Sequence, residues 1–407
     1  MAEPQFREAA VPGAQGQADP SLARTVAAAS AALGRQLADP VRLTGSDWSL
    51  VVRCRDIEGG GTVVAKSYPA SSRDGTSCFA AEAAGLAVSA GTGLAPELLA
   101  ADSRSLTLVM SDLGSWPSMA DVLLGDSASA ARQAVLDWAA RGAELAVRTS
   151  ERHRDFETLK SRYLGGSPDI SDALVIRGRV AGVADRVAEL VARPGSGLAG
   201  VRVPAGLRAE LHAVADAVGP GRYPIFSAGD MCPDNNLITA NGLRFVDFES
   251  AGIYSVFLDA AYIRMPFSTC WCVFRLPPEL TAAAESSYRA QVTLAYPDLA
   301  DDAVWLSGLH SAVAAWSSSS LSRLLHRAIE SDEPLEPGRV SPGIRQLIRY
   351  RWRVLLDWLD GGPQLPALAA LTESLLAATE DWQAPDLPLY PAFGVSPPPS
   401  AGRGRQP

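Results

Sequence analysis

The stretch IFSAGDMCPDNNLITANGLRFVDFE, residues 225–249, constrains this chain more than any other. It opens on an apolar, strand-like run and then carries Gly229-Asp230, with Asn235 five positions after the aspartate. Residues 236–240 and 243–248 are two short β-prone runs joined across Asn241-Gly242. Asn-Gly between apolar runs signals a hairpin, because both central residues of a type I′ turn need positive φ. The ribbon then presents Asp247-Phe248-Glu249, so Asp230, Asn235 and Asp247 are expected to meet at one end of a small rigid element.

The chemistry this set suits is phosphoryl transfer. One aspartate accepts the proton of an attacking hydroxyl, while an asparagine and a second aspartate hold the Mg²⁺ that neutralises the transferring group. The spacing here, an asparagine five residues after the base and then an Asp-Phe pair on a following strand, matches that division of labour. Composition sharpens the reading. The chain has only three asparagines, Asn235, Asn236 and Asn241, and all three fall in this ribbon. Turn formation accounts for Asn241 but not for Asn235.

A second composition signal lies upstream. Of the 36 Lys plus Arg residues only two are lysines, Lys66 and Lys160. Lys66 sits in TVVAKSY, residues 62–68, which pairs in pattern with LVVRCRDI, residues 50–57, across a glycine cluster. A compact ammonium on a flexible stem suits nucleotide phosphate oxygens where a planar guanidinium fits poorly. Residues 79–90 have helical composition, and Glu82 in their first turns is placed to pair with Lys66. The run SLTLVMSDL, residues 105–113, reads as a strand leading into a hinge, where backbone groups of Ser111 and Leu113 are expected to meet an adenine edge. The loop LTGSDWS, residues 43–49, has a single glycine, so Gly45-Ser46 would have to cover the phosphates by backbone contacts alone.

The rest of the chain bounds the problem. Its 407 residues suit a two-lobed domain or two domains, and 47% hydrophobic with 20% charged residues is an ordinary globular composition. A net charge of −9 argues against nucleic acid as a partner and is compatible with cationic small substrates. No apolar run reaches the roughly 18 residues of a membrane span, and no secretory leader is evident, so a cytoplasmic location is expected. The five cysteines lack CxxC pairs; Cys270-Trp271-Cys272 has no second ligand pair beside it in sequence and reads as buried thiols. Residues 1–20 and 384–407 read as disordered tails, 21–112 as an N-terminal lobe and 113–383 as a larger one. In the larger lobe, helices are expected over 127–150, 170–191, 204–218, 278–295, 302–330, 344–360 and 365–382. A first helix is expected over 21–37, capped by Ser21. His153 reads as an exposed helix end, Asp259 as a structural group near the loop, and the acidic loop 330–337 as solvated.

With Lys66, Glu82, Asp230, Asn235 and Asp247 in that order, the sequence resembles the aminoglycoside phosphotransferase and choline kinase family over roughly residues 43–261. The resemblance implies an α+β, two-lobed protein-kinase-like fold, with a small antiparallel-sheet N-lobe and a large, mainly helical C-lobe. It implies Asp230 as catalytic base, Asn235 and Asp247 as Mg²⁺ ligands, Lys66 as a phosphate ligand, ATP or GTP as co-substrate, and a small-molecule hydroxyl as acceptor. The sequence departs from the family pattern at Ala228, where a histidine is usual, at Cys232 and Asp234, where His and Gly are common, and at Tyr254-Ser255-Val256, where Gly-Asp-Pro is usual. A catalytically silent nucleotide-binding protein is the alternative function these residues allow.

Overall fold

The computed structural model describes residues 19–43, 49–69, 74–170, 172–198, 200–267, 269–360 and 365–394. The expected phosphate-covering pair Gly45-Ser46 lies outside the described residues.

The N-lobe begins with α1 (Pro20–Leu33), whose apolar positions Leu22, Val26, Ala29 and Leu33 recur at helical spacing and form one stripe. Its cap is Asp19, which accepts from the Ser21 N–H, rather than Ser21 itself. The helix stops at Gly34, where a left-handed backbone (φ +69°) ends it four residues before the sequence pattern suggested. The chain then enters β1 (Leu37–Arg42), a strand the sequence pattern does not announce.

Strands β2 (Leu50–Asp56) and β3 (Thr62–Ser67) form the expected hairpin. Helix α2 (Gly75–Ser89) follows, then β4 (Leu98–Asp102) and β5 (Thr107–Ser111). The five strands make one antiparallel sheet in the order β1-β2-β3-β5-β4. Alternation divides its faces: Val52, Cys54, Val63, Ala65 and Val109 pack under α1, while Leu108 and Met110 join the main core on the other face. Lys66 follows Ala65 in register, so it faces the core side with α2 and not the α1 side. Helix α2 is buried almost all round, which explains its run of alanines and glycines: larger side chains would not fit between the sheet and the other lobe.

The C-lobe is mostly helical. It comprises α3 (Met119–Leu124), α4 (Ala128–Arg148), α5 (His153–Leu164), α6 (Asp172–Ala181), α7 (Val183–Ala192) and α8 (Leu207–Ala217), then strands β6 (Pro224–Ser227), β7 (Asn236–Thr239), β8 (Gly242–Phe245) and β9 (Gly252–Ser255), then α9 (Val256–Tyr262), α10 (Pro278–Val292), α11 (Asp302–Glu330), α12 (Ile344–Leu359) and α13 (Pro366–Ala378). The helix expected over 170–191 is two helices, broken at Gly182. This is the two-lobed α+β arrangement that the sequence implied. Among the described residues no helix is long and apolar enough to cross a membrane.

Two expectations change. Residues 384–394 are packed rather than disordered: Leu387 and Tyr390 are fully buried, and the Arg275 N–H donates to the Pro388 carbonyl at 2.8 Å. The β7–β8 turn is not type I′, because only Gly242 has a positive φ (+92°) and Asn241 does not. Instead the Thr239 hydroxyl accepts from the Asn241 N–H (3.1 Å) and donates to the Gly242 carbonyl (2.7 Å), closing a tight turn with one left-handed glycine. Both edges of this hairpin are strapped: Ile238 N–H donates to the Pro117 carbonyl (2.9 Å), and Phe245 N–H to the Leu94 carbonyl (2.8 Å).

The two lobes meet closely at Gly85 of α2. A Cβ there would lie 2.9 Å from the Ala251 Cβ and 3.1–3.2 Å from Phe248, which has little room to move. Gly85→Ala would gain roughly 1 kcal/mol of helix propensity against about 1–3 kcal/mol of overpacking. The expected outcome is a net loss of stability, read as a lower urea midpoint with an unchanged slope; a rise in the midpoint would show that the lobes do not abut as described.

Candidate active site

Lys66 is 3% exposed, and its Nζ lies 2.7 Å from Glu82, 2.6 Å from Asp247 and 3.2 Å from Glu249. The carboxylates come from two places: Glu82 from α2, and Asp247 and Glu249 from the segment between β8 and β9. Burial alone would pull the ammonium down, but the three carboxylates outweigh it and hold Lys66 well above its ordinary value. Burial pushes the Glu82 carboxyl up, and Glu249 is raised to about 7, by burial first and the neighbouring Asp247 charge second. Tyr68, two residues after Lys66 and so on the same sheet face, donates its hydroxyl to Glu82. Asp247 has φ +65°, a region that costs a non-glycine residue strain, and such strain persists only where the surroundings impose it.

Asp230 follows a corner that only glycine permits. Gly229 has φ +82°, and a Cβ on it would stand 1.9 Å from the Ser250 carbonyl oxygen. The loop beyond is pinned from several sides. The Asn235 amide donates to the Asp230 carbonyl (3.2 Å), the Trp138 indole N–H to the Met231 carbonyl (3.1 Å), and the Thr269 hydroxyl to the Asp230 carboxylate (3.2 Å). Fully buried Asn236 donates to the carbonyls of Met231 and Cys232. The Val246 N–H donates to the Asn235 carbonyl at 2.9 Å, which fastens the loop beside the residue preceding Asp247.

Lys66 and Glu82 of the sheet lobe therefore meet Asp247 of the helical lobe, and the Val246 N–H to Asn235 carbonyl bond ties the residue before Asp247 to the loop bearing Asp230 and Asn235. The fold is two-lobed and α+β, a small antiparallel sheet set against a mainly helical lobe. No protein-family model matches the chain, and no curated protein matches it. Among solved structures it is similar to an ethanolamine kinase of Plasmodium vivax (10% identity, 84% of this chain and 82% of that chain, TM-score 0.45). It is also similar to a choline/ethanolamine kinase family protein of Mesorhizobium loti (15%, 83% and 92%, TM-score 0.42) and to a choline kinase of Cryptosporidium parvum (12%, 84% and 92%, TM-score 0.43).

The two hinge residues stand differently from the other expected site residues. The Ser111 N–H donates to the Glu97 carbonyl (2.9 Å), and its hydroxyl accepts from the Glu97 N–H (2.9 Å). The Leu113 carbonyl accepts from the Trp116 indole at 2.6 Å. These groups are engaged within the protein.

Sequence reading missed Tyr68, Glu249, Asn236 and Thr269. Period-two alternation from Lys66 would have found Tyr68, and the scarcity of asparagine pointed as much to Asn236 as to Asn235. Asp259 on α9 was expected to be structural, with the loop as one partner. It is buried and bonded to Ser227, whose hydroxyl accepts the Gly229 N–H at 3.1 Å, so it supports the corner before Asp230. Burial pushes Asp259 up to about 7 against the pull of that bond. The folded state thus keeps a proton that the unfolded chain releases near pH 4. Asp259's contribution is whole below that point and lost as pH rises through about 7. Relative to Asp259→Asn, the natural protein should lose up to about 3 kcal/mol between about pH 5 and about pH 8. Urea midpoints measured across that range check this; parallel curves for the two proteins would contradict it.

Proposed function

We propose that this protein is a small-molecule kinase that moves the γ-phosphoryl group of ATP or GTP onto a hydroxyl of a small polar acceptor. The observation that carries the reading is the Lys66 ammonium, anchored by Glu82 on one side and touching Asp247 on the other. Glu82 holds the lysine at the sheet, and Asp247 and Glu249 stand where phosphate oxygens would exchange for them.

The residues present fit a divalent cation. Glu82, Asp247 and Glu249 bring their carboxylate oxygens within 4.8 Å of one another, around a single ammonium. The Asn235 side chain spends its N–H₂ on the Asp230 carbonyl, which leaves its oxygen as the acceptor. Asn235 and Asp247 are the ligands for Mg²⁺ in this reading, and the ion, when bound, neutralises charge on the phosphates. Asp230 orients the acceptor hydroxyl and takes its proton. The bond from the Thr269 hydroxyl fixes the orientation of the Asp230 carboxylate. Positioning and charge neutralisation supply most of the rate in such a site.

The pinned loop favours an active enzyme over a silent binder. Ala228 lacks the imidazole found in similar sequences, yet Trp138, Asn236, Thr269 and Ser227 hold the loop at four other points. Asp230→Asn should leave nucleotide binding intact while turnover falls roughly 100- to 10,000-fold. Turnover is read as nucleotide consumed in the presence of a panel of hydroxylated small molecules; unchanged turnover would remove Asp230 from the base role. In a thermal-shift series, Asp247→Asn should abolish the extra stabilisation that Mg²⁺ adds to ATP while retaining the shift from ATP alone. A full magnesium increment in that variant would assign the ion elsewhere.

A further inference from the structure

Three thiols and a carboxylate gather behind the loop that carries Asp230. Cys232 and Asp234 come from that loop, and Cys270 and Cys272 from the segment after α9, so the second ligand pair absent from the sequence is supplied in space. The Cys232 and Cys270 sulfurs and an Asp234 carboxylate oxygen all lie within 4.8 Å of one another. Cys270 Sγ stands 3.1 Å from Cys272 Sγ and 3.8 Å from Asp234 Oδ1. A tetrahedral zinc centre with Zn–S bonds of about 2.3 Å places its ligand atoms roughly 3.8 Å apart, within this spread.

The Trp271 indole donates to Asp234 Oδ2 at 2.7 Å, which leaves Oδ1 on the side of Cys270. The Tyr262 hydroxyl lies 3.1 Å from Cys232 Sγ, and Thr269 Oγ1, whose proton goes to the Asp230 carboxylate, lies 3.3 Å from it. A soft divalent ion binds such thiols as thiolates, displacing their protons.

We propose that Cys232, Cys270 and Asp234 form a site for one thiophilic divalent cation of the zinc class, with Cys272 beside Cys270 as the nearest further sulfur. The ion fastens the loop carrying Asp230 to the segment carrying Thr269, which itself bonds Asp230. Its role is structural, and it is separate from the oxygen-lined site at Asp247.

The test is metal content of the full-length protein purified without chelator, with Cys270→Ala and Cys54→Ala compared; Cys54 lies in the N-lobe sheet, away from the cluster. The natural protein and Cys54→Ala should retain about one zinc per chain, and Cys270→Ala at least about 10-fold less. Cobalt(II) added to the metal-stripped natural protein should give a thiolate-to-metal charge-transfer band. If Cys270→Ala fails to fold, stepwise blocking of thiols in the natural protein should release zinc in proportion. No retained zinc and no cobalt band would overturn the proposal. So would a disulfide joining any two of the three cysteines in protein handled without reductant. Metal content is read without any turnover, so failure here and failure of the kinase assignment are distinguishable.

Discussion

One buried ammonium holds this molecule's two halves in register. Lys66 projects from a sheet built of local hairpins, and its partners come from a helix on its own lobe and from a connection more than 180 positions along the chain. Withdrawing these charges from water is costly, and the arrangement survives because each carboxylate is close and Tyr68 donates to the same Glu82 oxygen that meets the ammonium. Three anions facing one cation also leave the cluster short of positive charge. A site in that state favours an arriving cation over a neutral ligand.

The candidate site residues were more legible than the residues holding them. Lys66, Glu82, Asp230, Asn235 and Asp247 announce themselves through rarity and spacing, since charged groups in a strand or a tight turn stand out against apolar surroundings. Their supports do not. Trp138, Thr269 and Asp259 act through single hydrogen bonds across large sequence separations, and no local pattern encodes such a partner. The partners of the expected hinge residues were hidden for a related reason: what crosses a backbone group is not encoded locally, and Glu97 and Trp116 were not visible as partners of Ser111 and Leu113.

Boundaries followed the same logic. Helix α11 agrees with its sequence pattern end to end because Asp301 caps it and the apolar stripe runs unbroken. Strands β1 and β4 escaped notice because their burial is partial and their residues are small, so neither shows a clean alternation. The hairpin turn was found by its Asn-Gly pair but misassigned in type, since Thr239 offers the backbone hydroxyl bonds that make a second left-handed residue unnecessary.

The segment around Tyr390 reaches beyond its own neighbourhood. Its ring packs edge-on against Phe267 and Phe274, and its N–H donates to the Arg275 carbonyl, directly after the Cys270–Cys272 run. A shortened version of the chain ending where proline first becomes frequent would strip this clasp away. The cost would surface far from the cut, as a loosened wall behind the very loop that presents Asp230.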